Sequence, residues 1–154
     1  MVTETEAYDG FRDKASHAHR GETARNHVMF GEAGVWYIYF TYGMHWMLNI
    51  VVGKKGYPAA VLIRGAFPVK NSRFWRFNLQ KREKKINGPA RLTKFLKVDK
   101  KLNNKMANRK TGFWLEDRGV KISPRMIKRS PRVGIRYAEE WADKPYRFVL
   151  ENKA

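Results

Sequence analysis

The chain has 154 residues, with 32 Lys+Arg against 14 Asp+Glu for a formal net charge of +18, 43% hydrophobic and 14% aromatic residues, and no cysteine. That length fits one domain with one sizeable core, and the apolar and aromatic content argues against disorder. The missing cysteine excludes disulfides, thiolate nucleophiles and sulfur-ligated zinc or iron. No apolar run approaches the roughly 20 residues that cross a bilayer, and residues 1–10 lack the basic flank and apolar stretch of a signal peptide. Both point to an intracellular protein with no membrane partner.

A surplus of 18 positive charges makes a polyanion the natural partner. Its distribution is uneven. Residues 1–50 carry four basic and six acidic side chains, whereas residues 51–154 carry 28 basic and eight acidic ones. All four histidines, His17, His19, His27 and His45, fall in the acidic third, with nine aromatics between Tyr8 and Trp46. Charge for binding is thus separated from a cluster with the composition of a site.

In chain order, Val2 to Ala7 alternates apolar and polar before Asp9-Gly10 and predicts a strand entering a turn, with Glu4 and Glu6 on one face. Val35 to Phe40 and Met44 to Val52 are β-branched, aromatic and apolar runs around Thr41-Tyr42-Gly43, which predicts a β-hairpin with Tyr42 at its tip. After Gly53-Lys54-Lys55-Gly56 a third strand is expected over Ala59–Ala66, where Arg64 is a lone charge in apolar company and needs a partner. Basic residues around Phe74, Trp75 and Phe77 predict a helix over 71–85. Pro89 following Gly88, with Leu92, Phe95 and Leu96 at i, i+3, i+4, predicts another over 89–97. Asp99 to Lys110 reads as a flexible loop or weak helix. Short strands are expected at Phe113–Glu116, Val120–Ile122, Arg132–Ile135 and Tyr146–Leu150, with a helical turn around Glu139-Glu140-Trp141.

Glu4 and Glu6 at i, i+2 would stand about 6.6 Å apart, a spacing that suits a water-activating pair, although a solvent-facing strand edge is the commoner meaning of such a pattern. His17-Ala18-His19 has the look of a metal-ligand pair, but no acidic pattern nearby completes a set, so no metal is expected. The aromatics Trp36, Tyr37, Tyr39 and Phe40 are core by composition. Beside so basic a region, exposed ones become stacking surfaces for bases. Clusters such as Lys81-Arg82-Glu83-Lys84-Lys85 and Lys100-Lys101 suit a solvated or phosphate-binding face. From the residues alone the chain is a basic α+β nucleic-acid protein with carboxylates, histidines and tyrosines clustered near its N-terminus.

An ordered set of motifs goes further. Glu4-Thr5-Glu6-Ala7-Tyr8, His17, Arg25-Asn26, Met29-Phe30-Gly31, Tyr37-Ile38-Tyr39, Tyr42-Gly43-Met44-His45, Asn49, Leu62-Ile63-Arg64, Gly88-Pro89-Ala90-Arg91-Leu92, Pro131-Arg132-Val133-Gly134-Ile135 and Pro145-Tyr146-Arg147-Phe148 resemble, collinearly from residue 2 to about 149, the alkyladenine (3-methyladenine) DNA glycosylase family of the non-helix-hairpin-helix type. The resemblance implies a single α+β domain over residues 1–154, built on a curved, largely antiparallel sheet with flanking helices and a protruding hairpin that inserts into DNA. It also implies hydrolysis of the N-glycosidic bond of alkylated or deaminated purines in double-stranded DNA, among them 3-methyladenine, 7-methylguanine, hypoxanthine and ethenoadenine. Such an enzyme would be monofunctional and monomeric, would use neither metal nor cofactor, and would work in the cytoplasm, or in the nucleus of a eukaryote.

Carried over by position, Glu6 matches the water-activating carboxylate, and Arg64 and the Val133 carbonyl match groups that hold that water. Tyr8, His17 and Tyr39 match the pocket for the flipped base. Asn49 matches the residue that obstructs the 2-amino group of guanine, and Tyr42 matches the wedge that fills the vacated duplex. Arg25, Met44, Arg91 and Lys100 match DNA-backbone contacts. Glu4 has no matching catalytic role and is expected to be structural. Gly65 and Phe67 stand where Ala and an acidic residue are commoner, and Arg91 replaces a usual lysine. The chain also starts almost at the catalytic strand, where family members usually carry a further helix and strand upstream: either it is a minimal member or its true start is missing, and a true absence would leave the Glu6 strand at an exposed edge. The alternative from another class is a non-catalytic basic RNA- or ribosome-binding protein, and a third is a relative that binds lesions without excising them.

Overall fold

The computed structural model describes residues 1–68 and 85–151. Its frame is an antiparallel sheet of seven strands: β1 (Val2–Asp9), β2 (Trp36–Thr41), β3 (His45–Val51), β4 (Ala59–Ala66), β5 (Ile86–Asn87), β6 (Ile127–Ser130) and β7 (Arg147–Leu150). The order is β2-β3-β4-β1-β7-β6, with the short β5 pairing with the end of β4. The fold is therefore α+β with a largely antiparallel sheet, as the resemblance implies.

Period-two alternation gives the sheet two different faces. Trp36 and Ile38 of β2, Leu48 of β3 and Ile63 of β4 pack with Leu92 and Val98 in one buried cluster. The one α-helix of the described residues, α1 (Pro89–Leu96), contributes Leu92 to it. Gly88 precedes it with φ 97, Pro89 takes its first turn, and Lys97 ends it in the left-handed region, so residues 89–97 behave as predicted. The alternate residues, Tyr37 of β2, Val51 of β3 and Ala60 of β4, face a second cluster with Ala18, Val28 and Met29. This second face carries the site.

Several local expectations are corrected. β1 does not lie at an edge: it is paired on one side with β4 and on the other with β7. Glu4 and Glu6 are accordingly buried rather than solvent-facing. Residues 113–122 form no strand, because Phe113 packs on Trp36 and accepts its indole N–H while Gly119 turns the chain at φ 72. Arg132–Ile135 is not a strand either, since Gly134 at φ 79 bends it, and the neighbouring strand is β6, which sequence patterning missed. Residues 99–110 are not a loose loop. They contain a 3-10 turn, Lys100–Leu102, and cover the outer edge of β2: Trp36 N–H donates to Lys105 C=O, Asn104 N–H to Trp36 C=O, and Ile38 N–H to Asn103 Oδ1. The helical turn expected around Glu139-Glu140-Trp141 is present, as the end of a 3-10 segment, Arg136–Trp141. The helix expected over 71–85 lies almost wholly outside the described residues.

Candidate active site

On the second face of the sheet opens a cavity of about 360 Å³, within the range of small-molecule sites. Four adjacent strands floor it, with Glu6 and Tyr8 from β1, Tyr37 and Tyr39 from β2, Met47 and Asn49 from β3, and Leu62 and Arg64 from β4. His17 enters from the loop after β1, Val133 to Ile135 and Tyr137 from the segment after β6, and Pro89 and Ala90 from the start of α1. Residues distant in sequence thus meet because alternation aims one side of each strand at a common volume.

Glu6 is fully buried at its base. Its Oε1 accepts the main-chain N–H of Val133 at 2.8 Å, and its Oε2 accepts the Tyr8 hydroxyl at 3.0 Å and Arg64 Nη1 at 3.4 Å. An ionised carboxylate has about four acceptor positions, so among the described residues these three donors leave one open, on Oε1. Arg64 finds the partners that its place in an apolar strand demands: besides Glu6, its Nε donates to Glu4 Oε1 at 2.8 Å. Arg147 of β7 donates to the same Glu4 oxygen at 2.8 Å. Burial works against the charged form of Glu4, but the bonds from Arg64 and Arg147 outweigh it and hold this carboxyl below its ordinary range. Gly65 faces the pair closely, since a Cβ there would lie 3.1 Å from Glu4 Cβ.

The walls are aromatic. The rings of His17 and Tyr39 stand 4.5 Å apart at 71°, and those of Tyr37 and Tyr39 5.4 Å apart at 37°. His17 Nδ1 shares a 2.9 Å hydrogen bond with the Tyr37 hydroxyl. Burial, with Arg25 adding to it, lowers the His17 pKa to about 4, so the imidazole is neutral at pH 7. Burial raises the Tyr37 hydroxyl pKa well above the usual phenol range and that of Tyr39 to about 12, and both are protonated. Asn49 is buried, with its amide N–H₂ donating to Tyr37 C=O at 3.1 Å. His19, two residues from His17, shares its Nδ1 with Phe11 C=O, so the two imidazoles have separate partners. Among the described residues no group of three or more His, Asp or Glu could hold a metal ion.

At the mouth stands the β2–β3 turn. Met44 N–H bonds to Thr41 C=O, and Tyr42 at φ 52 and Gly43 at φ 64 are both left-handed, the pairing that a type I′ turn needs. Glycine adopts this freely and tyrosine does so under strain. Tyr42 is 80% exposed and Met44 also projects into solvent, yet Tyr42 still lines the cavity. Arg25 lies over the Tyr39 ring at 5.2 Å from its centroid. Glu6, Arg64, Val133, Tyr8, His17, Tyr39, Asn49 and Tyr42 therefore meet at one cavity. Met44, Arg25, Arg91 and Lys100 are exposed, outside its lining.

Two participants escaped sequence reasoning. Tyr137 is 67% exposed and lines the cavity, and an aromatic in a short polar segment gives no periodic signal. Tyr37 supports His17, but in sequence it is only one of a run of strand aromatics.

Comparison with known proteins agrees with this geometry. The family model described as methylpurine-DNA glycosylase (MPG) matches residues 1–154. Similar proteins from Methanocella arvoryzae (40% identical), Legionella pneumophila strain Lens (38%) and Desulfitobacterium hafniense (40%) each bear the name "Putative 3-methyladenine DNA glycosylase". In each case the similarity covers 98% of this chain, and it covers 76%, 76% and 78% of those proteins respectively. The chain belongs to the methylpurine-DNA glycosylase family.

Proposed function

We propose that this DNA glycosylase acts as a monomer, without metal or cofactor, to release alkylated or deaminated purines from duplex DNA by hydrolysing the N-glycosidic bond with water activated by Glu6. The observation that carries the reading is the buried Glu6 carboxylate at the foot of an aromatic cavity, held by Val133, Tyr8 and Arg64 with one acceptor position open on Oε1. Simple binding of RNA has no use for a buried carboxylate so arranged, which disfavours the non-catalytic alternative.

The chemistry follows from the access problem. A base stacked in a duplex hides its C1′, so the nucleotide must leave the helix and both it and the gap must be stabilised. Tyr8, His17 and Tyr39 offer rings to the expelled purine, and Tyr42 projects to fill the gap. In the tautomer whose Nδ1 accepts the Tyr37 hydroxyl, the neutral His17 carries its proton on Nε2 and can donate to an acceptor on the purine edge. Asn49 is pinned to Tyr37 C=O beside the cavity, where it would obstruct a 2-amino group and disfavour guanine.

As the C–N bond lengthens, the sugar gains oxocarbenium character, which the Glu6 anion stabilises. Water held at Oε1 gives its proton to Glu6 and its oxygen to C1′, and the bond electrons leave with the purine. A base already cationic, such as 3-methyladenine, needs no acid. Arg25, Met44, Arg91 and Lys100 would contact the DNA backbone around the site.

The test is incubation with duplex oligonucleotides carrying one hypoxanthine or one ethenoadenine, followed by alkali. Cleavage at the lesion site only after alkali is expected. Intact strands with both lesions and with 3-methyladenine DNA would favour a lesion-binding protein without catalysis.

A further inference from the structure

Behind the cavity, a buried ion pair joins the three segments that carry the proposed chemistry. Arg132 and Asp13 are both fully enclosed as side chains, and the guanidinium forks onto the carboxylate, Nη2 to Oδ1 at 2.7 Å and Nη1 to Oδ2. Nη1 also donates to Ala7 C=O at 2.7 Å, the peptide between Glu6 and Tyr8, and Nη2 reaches Trp141 C=O at 3.4 Å. The guanidinium lies over two rings, 4.8 Å from the Tyr8 centroid and 5.3 Å from that of Tyr146. Asp13 in turn accepts Asp9 N–H at 3.1 Å and Ala15 N–H at 3.0 Å, which fixes the loop leading from β1 to His17. The residue after Arg132 is Val133, whose N–H holds Glu6 Oε1.

We infer that Arg132, locked by Asp13, is a positioning residue for the excision step: it aims the Val133 N–H at Glu6 Oε1 and backs the Tyr8 ring, so that one carboxylate oxygen keeps a fixed orientation toward water. The inference rests on the proposed role of Glu6. Its physical basis is that a bidentate arginine fork defines orientation as well as contact, and this one guanidinium spans two carboxylate oxygens, two carbonyls and two rings at once. A buried ion pair is by itself weak evidence of a stabilising role. A buried ion pair can often be exchanged for apolar side chains of similar volume without loss of fold, whereas removing one partner strands a charge.

The test therefore replaces both, Asp13→Leu with Arg132→Met, and separately makes Arg132→Lys, which keeps the charge and loses the fork. Each is compared with wild type and Glu6→Gln on a hypoxanthine duplex, measuring the single-turnover rate at saturating enzyme and the Kd. The double variant is expected to excise at least tenfold more slowly, with Kd raised less than threefold, and its Val133 amide is expected to lose hydrogen-exchange protection. Arg132→Lys should show the same split with a smaller loss of rate. If the double variant does not fold, Arg132→Lys decides on the same readouts. Rates within twofold of wild type, or rate and affinity falling by equal factors, would overturn the inference while an inactive Glu6→Gln left the Glu6 reading standing. A Glu6→Gln as fast as wild type would remove that reading and this inference with it.

Discussion

Arg64 joins Glu4 and Glu6: its Nε donates to Glu4 Oε1 at 2.8 Å while its Nη1 reaches Glu6 Oε2 at 3.4 Å. Glu4 is thus the anchor that lets Arg64 span two carboxylates. Glu4→Gln keeps an acceptor oxygen and removes the charge that offsets Arg64 and Arg147. Because breaking a largely buried pair is costly, a stability loss of about 2–4 kcal/mol is expected. Excision should fall less than in Glu6→Gln, since Glu4 reaches Glu6 only through Arg64. Urea unfolding beside single-turnover kinetics checks both. An equal loss of rate in the two variants would instead favour a paired-carboxylate mechanism.

Tyr42 combines left-handed backbone, at φ 52, with 80% exposure. A left-handed tyrosine costs roughly 1–2 kcal/mol that asparagine largely avoids. Tyr42→Asn should therefore raise the unfolding midpoint slightly. It should also weaken binding to a lesion duplex more than to undamaged duplex, because the wedge offsets a few kcal/mol of lost stacking only where a base has been expelled. Equal losses on both duplexes would make Tyr42 a phosphate-positioning residue.

Acid should destabilise the protein through His17. Its pKa is lowered from 6.5 to about 4 by burial and Arg25, so between those values the unfolded chain binds more protons than the folded one. Stability contributed by this group is whole above about pH 6.5 and declines as pH falls toward 4, by on the order of 2–3 kcal/mol over the full interval. Glu4, also lowered, adds to the loss below its unfolded value of 4.5. Urea midpoints at pH 7.5 and 5 should differ clearly in wild type and less in His17→Gln. The same difference in both proteins would refute the assignment.

With 28 basic side chains in residues 51–154, DNA affinity should fall steeply with salt, by about 0.9 log units per log unit of salt for each neutralised phosphate. Charge reversal at the exposed Arg91 should flatten that slope by about one contact and weaken lesion and undamaged DNA alike. An unchanged slope in this variant would remove Arg91 from the phosphate-contacting set.

What the sequence revealed depended on range. The β2–β3 hairpin, β4 and α1 follow from local alternation, turn residues and the Gly88-Pro89 start, and they emerge with nearly their expected bounds. The segment from 113 to 135 departs from its local pattern because its structure is set by distant partners: Phe113 by Trp36, and Arg132 by Asp13, 119 positions away. Burial of Glu4 and Glu6 is likewise invisible, since it depends on distant partners, Arg147 of β7 on Glu4 and Val133 on Glu6. Identity of the cavity residues came from their ordered resemblance to a family. Their convergence required the sheet order.

Every step of the proposed reaction turns on Glu6 activating the attacking water. The measurement that bears on it most directly is the single-turnover rate of Glu6→Gln on a hypoxanthine duplex, read with its Kd for the same duplex. The amide keeps the shape and loses the basicity, so excision should fall by ~10²-fold or more with binding within a few-fold of wild type. Excision within a few-fold of wild type would contradict the account.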